Sequence, residues 1–190
     1  IRLQNSSLIP MSTQPLNLKR IMAKSHLRLG KWNMRGVLGK ENITDARDNF
    51  VTATEYGREW YKAWHSWAKI NYEIVLNYKH NKTLPTISKQ RQIIMDGKKL
   101  SSEETDIYIA TTYALSAIRG FFKSIALSEK TAFQDTLRLL TLLFEFGEFP
   151  EVYEVIDQEI KCVKIDYWLQ VVPQLIARID TPKHMVRKMI

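Results

Sequence analysis

The histidines are the first residues to consider for chemistry, because imidazole serves as a zinc ligand and as a general base near neutral pH. The chain has four of them: His26, His65, His80 and His184. Zinc sites usually draw ligands from pairs of His or Cys a few residues apart. No second His or Cys stands at such a spacing here, and the one cysteine is Cys162. The sequence therefore predicts no metal site.

Phosphate and acyl chemistry also lack their usual sequence signatures. There is no Gly-rich phosphate loop, no Gly-x-Ser-x-Gly turn and no His-Glu-x-x-His pair. Glu145-Phe146-Gly147 is similar to the magnesium-binding Asp-Phe-Gly of protein kinases, but no catalytic loop precedes it. A glycine after an apolar helical run is typical of a helix end. We predict a helix end at this stretch and assign no catalytic residue.

His65 lies among tryptophans at helical spacing, which favours packing over catalysis. Trp60, Trp64 and Trp67 recur every three or four residues, as side chains on one face of a helix do. We expect these rings to belong to the core and His65 to be hydrogen-bonded to a neighbouring group. Small residues beside them, such as Ala68, would let a second helix approach closely.

The composition is that of an ordinary globular protein. Of 190 residues, 45% are hydrophobic and 25% are charged, which excludes a disordered or fibrous chain as a global description. No run approaches the ~18 apolar residues of a membrane-spanning helix. A single cysteine cannot form an internal disulfide, so a reducing cytosolic or nuclear setting is predicted.

The net charge of +8 is concentrated in the first half of the chain. Residues 1–100 carry 18 Lys and Arg against 7 Asp and Glu, whereas residues 101–190 carry 10 against 13. This asymmetry indicates an anionic partner such as a phosphorylated small molecule, a nucleic acid or an acidic protein surface. A solvated basic face would give the same composition.

The chain is predicted to begin with a connector and to continue as helices. Residues 1–15 contain two prolines among Ser, Asn and Thr, which is typical of a loop. The pattern at 16–29 predicts a helix with Leu18 and Ile21 on its apolar face. Gly30 is placed to end that helix.

Two further helices and a basic loop should follow. Asn42 can cap a helix that ends at Gly57. The helix that carries the tryptophans should run from Glu59 to about Lys79. Residues 80–100 are polar and basic and contain a proline and a glycine, so they are expected to form a loop.

Capping signals divide the second half into helices. Ser101 with Glu104, and Thr131 with Gln134, have the spacing of capping boxes. Pro150 suits the first position of another helix. The second box should open a helix on which four apolar residues share a face, namely Phe133, Leu137, Leu140 and Phe144.

Near the C-terminal end, Asp166 is expected to cap a helix that Pro173 kinks, and Thr181 to precede one more helix. Helices with short links and hardly any strand-like alternation predict an all-α fold. We expect an irregular α-solenoid of antiparallel TPR/HEAT-like helix pairs over residues 16–190, as a fragment of a larger array.

Five stretches of the sequence together resemble one known family. They are WYKAWHSWA at 60–68, YKH at 78–80, GFFKSI at 120–125, QDTLR at 134–138 and WLQVVPQLIARIDTP at 168–182. In order and spacing they resemble the FAT domain of target-of-rapamycin (TOR) kinases, members of the phosphatidylinositol-3-kinase-related kinase (PIKK) family. The last run is the most specific of the five.

The resemblance implies a scaffold. In TOR kinases the FAT domain is a C-shaped array of TPR-like and HEAT-like helix pairs that clasps the kinase domain. The segment would restrain that domain and hold no catalytic residue, while the parent serine/threonine kinase would use ATP and magnesium in nutrient and growth signalling. Implied partners are its own kinase domain, neighbouring repeats and, through the full-length chain, Raptor- or Rictor-type adaptors. The parent complex is expected in the cytoplasm or at endomembrane surfaces, without a nucleic-acid partner.

The resemblance also implies a ligand, inositol hexakisphosphate, held by a cage of lysines and arginines. Two positions of that cage match this chain, Arg28 and Lys62. Arg28 stands where the family usually has lysine, and its guanidinium can grip phosphate bidentately. The other cage residues would lie upstream, so this chain alone is expected to bind the ligand weakly. A lysine whose stem packs beside tryptophans would explain Lys62 equally well.

Two other functions stay open from the residues alone. One is a free-standing TPR-like adaptor that binds protein segments in a concave groove. The other is an RNA-processing helical-repeat protein whose basic half contacts RNA, and steep salt dependence of RNA binding would distinguish it from a scaffold.

Overall fold

The computed structural model describes residues 14–36, 42–81 and 101–189, and within these ranges the chain is helical with no strand. The predicted all-α fold is confirmed. Most of the predicted connector and of the predicted basic loop lies outside the described residues. The chain divides into two units, Ile1–Arg58 and Glu59–Ile190.

The first unit contains an antiparallel helix pair, α1 (Leu16–Met34) and α2 (Ile43–Tyr56). The predicted cap of α2 is confirmed, because the Asn42 side chain accepts a hydrogen bond from the backbone N–H of Asp45 at 3.1 Å. Gly57 ends α2 as predicted.

Gly30 does not end α1, contrary to the sequence-based prediction. The helix continues to Met34, and Gly30 is buried within it. The reason lies in α2, since a Cβ on Gly30 would stand 2.5 Å from Cε1 of Phe50. This glycine therefore admits a ring against the backbone, and the left-handed glycine is Gly36, with φ 64°.

The predicted apolar face of α1 is also wrong. Ala23 and Leu27 are buried, whereas Leu18 and Ile21 are 40% and 59% exposed. The small side chain of Ala23 and the bare backbone of Gly30 let α2 approach closely on their side of the helix. Leu18 and Ile21 are left on the solvent side.

The second unit contains eight described helices, bounded as follows: α3 Tyr61–Asn81, α4 Ser102–Ile109, α5 Leu115–Leu127, α6 Ala132–Phe146, α7 Pro150–Glu159, α8 Ile165–Gln170, α9 Val172–Ile176 and α10 His184–Met189. A π-helical turn, Ala110–Ala114, joins α4 to α5 without a break. The capping box of Ser101 and Glu104 is confirmed, with both of its hydrogen bonds present.

Helices α3 and α5 pack antiparallel through their small residues. A Cβ on Gly120 would lie 2.8 Å from Cβ of Ala68 and 2.9 Å from the Trp67 ring. The predicted close approach of a second helix at Ala68 is therefore confirmed. The expectation that the tryptophan rings belong to the core is wrong, because Trp60, Trp64 and Trp67 are only half-buried; Trp64 and Trp67 meet edge to face.

Helix α6 follows a short 3₁₀ turn, Glu129–Thr131, and this turn alters its start. Thr131 makes no side-chain capping hydrogen bond to α6, so the predicted box with Gln134 is wrong. Phe133, predicted to share the apolar face, is 43% exposed. Gly147 ends the helix as predicted.

The C-terminal helices differ from prediction around Pro173. The chain breaks at Val171 into α8 and α9 instead of forming one kinked helix. Proline has no N–H to donate to the carbonyl one turn earlier, and its ring clashes with that carbonyl. Asp166 lies inside α8 and does not cap it, whereas Pro150 opens α7 as predicted.

Candidate functional site

Arg28 lies in the middle of α1, on the side that faces solvent. Its neighbour Leu27 is buried against α2, which fixes the orientation of this part of the helix. Lys24 and Lys31 are one turn away on either side and are also exposed. An anion that reaches Arg28 therefore meets more than one cation.

Lys62 lies in the first turn of α3, and its side chain is exposed. Buried Ala63 anchors the turn, and the ammonium lies 5.9 Å from the centroid of the Tyr61 ring. Arg28 and Lys62 belong to different units, and each is placed within its own unit. That they share one phosphate cage stays a prediction.

A fully buried carboxylate, that of Asp135 on α6, has three polar side-chain partners. Its Oδ2 accepts hydrogen bonds from the Ser124 hydroxyl at 2.8 Å and lies 3.0 Å from Nδ1 of His65. Its Oδ1 accepts from Nη1 of Arg138 at 2.8 Å. We call these four residues the Asp135 cluster. It joins α3, α5 and α6, and the hydrogen bonds offset the desolvation of the carboxylate.

The residue types of the Asp135 cluster invite comparison with serine hydrolases, but the geometry differs. In those enzymes His stands between Ser and Asp and accepts the proton of the hydroxyl. Here Ser124 is fully buried and donates directly to the carboxylate. The arrangement fixes three helices and does not activate a nucleophile.

The sequence predicted part of the Asp135 cluster. The expectation that His65 is hydrogen-bonded is confirmed, but its partner lies 70 residues along the chain. Asp135 and Ser124 were missed as a site. An acid within a strongly apolar helix is the available signal, and it becomes informative only when its partners are known.

A second buried polar contact joins the far end of α3 to α4. The Tyr78 hydroxyl donates a hydrogen bond to Oδ1 of Asp106 at 2.8 Å. Burial, and then this hydrogen bond, raise the pKa of Tyr78 to about 12. The phenol therefore stays protonated wherever the protein is folded near neutral pH.

The end of α6 is held by Lys183. Its ammonium donates hydrogen bonds to the carbonyl oxygens of Phe144 and Glu145, the latter at 2.7 Å. These carbonyls belong to the last turn of a helix, where cations are favourable. Burial lowers the pKa of Lys183. Nearby, the Glu148 carboxylate accepts a hydrogen bond from the backbone N–H of Met185 at 2.8 Å, which fixes the start of α10.

With this geometry in place, comparison with known proteins is informative. The FAT domain family matches residues 4–141. The chain belongs to the FAT domain family. Its similarity to named proteins points to the TOR branch: it is 38% identical over 191 residues to the serine/threonine-protein kinase mTor of Drosophila melanogaster, covering 98% of this chain. It is 36% identical over 171 residues to tor1 of Schizosaccharomyces pombe, covering 89%. Against TOR2 of Saccharomyces cerevisiae it is 29% identical over 205 residues, covering 97%.

The FAT segment spans only a small part of these relatives. It covers 8% of the fly kinase, 6% of the fission-yeast kinase and 8% of the budding-yeast kinase. The matched FAT region includes both units as far as α6, and with them Arg28, Lys62 and the Asp135 cluster. The resemblance drawn from the sequence is confirmed.

The FAT segment also has an apolar pocket of about 240 Å³ between α6 and α9. Its lining residues are Leu137, Leu140, Thr141, Phe144, Gln174, Ala177 and Arg178. The guanidinium of Arg178 lies over the Phe144 ring, 5.1 Å from its centroid.

In the described ranges, no group of three or more His, Cys, Asp or Glu could hold a metal ion. None of the described helices is long and apolar enough to cross a membrane.

Proposed function

We propose that this FAT segment clasps and restrains the kinase domain of a TOR-type serine/threonine kinase in nutrient and growth signalling. The observation that supports this is the Asp135 cluster, which ties three helices together through a buried carboxylate. Helices that meet around a fully hydrogen-bonded buried carboxylate resist deformation, because moving any one of them would leave a charge unpaired in the interior. A segment built in this way can transmit strain to a neighbouring domain.

The contacts between helices support the same role. Gly120 against Ala68 in the second unit, and Gly30 against Phe50 in the first, bring helices together with little free space. Such interfaces cannot slide by small amounts without a clash. A clasp requires this stiffness, whereas a surface that adapts to several ligands requires mobile side chains.

The test uses the full-length kinase that contains the segment. Asp135→Ala should loosen the second unit, and limited proteolysis should report that loosening. If the segment restrains the kinase domain, kcat on a peptide substrate should change several-fold while KM for ATP stays the same, since no group here would contact ATP. Asp166→Asn, at an exposed carboxylate, is the matched control. Proteolytic loosening with unchanged kcat would show that the proposal is wrong.

We also propose that Arg28 and Lys62 contribute to an inositol hexakisphosphate site in the parent kinase. Both side chains are exposed, and Arg28 has Lys24 and Lys31 beside it. A polyphosphate needs several cations, because each contact must replace tightly held water. Since other cage residues would lie upstream, the 190-residue chain should bind weakly.

Titration calorimetry of the parent kinase with inositol hexakisphosphate tests this second proposal. Arg28→Glu and Lys62→Glu should each weaken binding by about tenfold or more, the effect of losing a charge-assisted hydrogen bond. Lys123→Glu reverses an exposed charge on α5 and is the control. Unchanged affinity in both test variants would contradict the proposal. Adaptors of the Raptor and Rictor type are expected to bind through the full-length chain.

A further inference from the structure

The π-helical turn, Ala110–Ala114, adds one residue to the long helix that α4 and α5 form together. The backbone N–H of Leu115 donates a hydrogen bond to the carbonyl of Ala110, five residues earlier. An α-helix would make this bond to the residue four positions earlier. Beside the turn, the hydroxyl of Thr111 donates to the carbonyl of Ile107 at 2.8 Å. A helix with an added residue has a different rotation on the two sides of the turn.

The added residue keeps one row of buried side chains on the same side of the helix. Ile109, Tyr113, Ala117 and Phe121 recur every four residues and are at most 2% exposed. In an α-helix, residues four apart differ by about 40° around the axis, so this row would turn by about 120° over its length. The added residue removes about 100° of that rotation. Both α4 and α5 can therefore pack on α3.

The rotation of α4 decides which of its side chains meet other groups. Tyr108 and Tyr113 are five residues apart, and their rings meet edge to face with centroids 5.9 Å apart. A regular α-helix brings together residues three or four apart. In the same rotation Asp106 accepts the hydrogen bond of Tyr78 on α3, while its neighbour Ile107 is 44% exposed. A change of rotation would exchange these two neighbours.

We propose that the π turn is a point at which α4 can rotate between two registers on α3. If the turn becomes α-helical with the chain unchanged, α4 rotates by about 100°. Ile107 then takes the place of Asp106 opposite Tyr78. Asp106 moves to the place of Thr105, which is 7% exposed. A carboxylate buried there without its donor is costly, so the hydrogen bond from Tyr78 selects the observed register.

The two registers differ in α4 alone. The close contact of Gly120 with Ala68 and the Asp135 cluster lie on the other side of the π turn and are the same in both. The turn is thus the place where the second unit can change its contacts without loosening α3, α5 and α6. The proposal does not depend on the scaffold function.

Deletion of single residues from the 190-residue chain tests the rotation argument. Deleting Thr111 removes the added residue, so α4 and α5 should keep their contacts as one α-helix and the Tm should stay within about 3 °C of the original. Thr141 is the matched control, because its hydroxyl bonds the carbonyl of Leu137 in the same way, at 3.0 Å, within the regular helix α6. Its deletion rotates part of the apolar face of α6 and should lower the Tm by at least about 10 °C. An equal fall for the two deletions would overturn the proposal.

Thiol labelling at position 107 tests the second register. Ile107→Cys should react quickly in a Cys162→Ser background, which removes the other exposed thiol. Adding Asp106→Leu removes the acceptor for Tyr78 and supplies an apolar group for the buried place of Thr105. The labelling rate should then fall at least about tenfold, as the second register becomes the major one. Adding Asp106→Asn instead keeps an acceptor, and the rate should stay within about threefold of the original.

A combined variant separates rotation from local covering of the thiol by the new side chain. Without Thr111, α4 has only the observed register, so its deletion from the Asp106→Leu, Ile107→Cys variant should return the labelling rate to within about threefold of that of Ile107→Cys alone. Circular dichroism checks that each labelled variant is folded. Labelling that Asp106→Leu does not slow would overturn the proposal, and so would slow labelling that persists after the deletion.

Discussion

The two units bury different kinds of chemistry. In the first, α1 and α2 meet through apolar groups, with Phe50 packed on the backbone of Gly30, and through a partly buried neutral contact, His26 Nδ1 to Asn49 Oδ1 at 2.9 Å. In the second, α3, α5 and α6 meet around a fully buried carboxylate, Asp135, as well as through apolar groups. Hydrocarbon contacts can repack when one side chain changes, whereas a buried charge requires every partner to stay in place. The second unit should therefore be less tolerant of substitution at its central polar residue.

The largest expected effect is at the Asp135 cluster. Asp135→Ala leaves the Ser124 hydroxyl and the Arg138 guanidinium without their acceptor, and should lower the free energy of unfolding by about 3–5 kcal/mol. Urea unfolding monitored by circular dichroism would measure it. Asp166→Asn, on exposed α8, should change stability by no more than about 0.5 kcal/mol. A loss at Asp135 as small as that of the control would remove the contrast between the units.

Substitutions at the closest helix contacts should lower the free energy of unfolding by amounts that differ less between the two units. Gly120→Ala places a methyl group 2.8 Å from Cβ and 3.2 Å from Cα of Ala68, so a helix backbone must move, at a cost of about 1–3 kcal/mol. For Gly30→Ala the three nearest atoms all belong to the Phe50 ring, so a side chain instead of a helix backbone must move, and a smaller loss is expected. Chemical denaturation of both variants gives the comparison. A larger loss at Gly30 would reverse the proposed order of rigidity.

The pH dependence of stability tests the contribution of the buried phenol of Tyr78 in the second unit. The pKa of Tyr78 is about 12 in the folded protein, against an ordinary value of 10.0. The folded state therefore keeps a proton that the unfolded state releases. The contribution to stability is fully present below pH 10 and is lost as pH rises through 12. Tyr78→Phe should flatten this decline, as measured by unfolding from pH 9 to pH 12, roughly the titration range of phenol. An identical slope in the variant would contradict the assignment.

The smallest expected effects are at the caps, and there the units should agree. Asn42→Ala and Ser101→Ala each remove one exposed N-cap, and each should lower the free energy of unfolding by about 1 kcal/mol. Caps act within one turn of a helix, so their contribution to the free energy of unfolding does not depend on what the helix buries. Thermal unfolding of the two variants would test this equality, and a difference of several kcal/mol would show that one cap also carries tertiary contacts.

Local patterns were enough for most of the secondary structure. Asn42, Ser101, Gly147 and Pro150 mark helix ends because their effects depend on a few adjacent residues. The all-α fold and the family followed from helical periodicity and from the runs at 60–68 and 168–182. These features can be predicted without knowing which helices pack against each other.

Tertiary structure decided the features that depend on a second helix. Gly30 is indistinguishable in sequence from a helix stop until Phe50 is seen against it. His65 finds its partner, Asp135, 70 residues away, and Leu18 is exposed because α2 packs on another face of α1. The physical reason is the same in each case: burial and long-range hydrogen bonds are properties of pairs of helices, and a single helix carries only the surfaces from which those pairs are chosen.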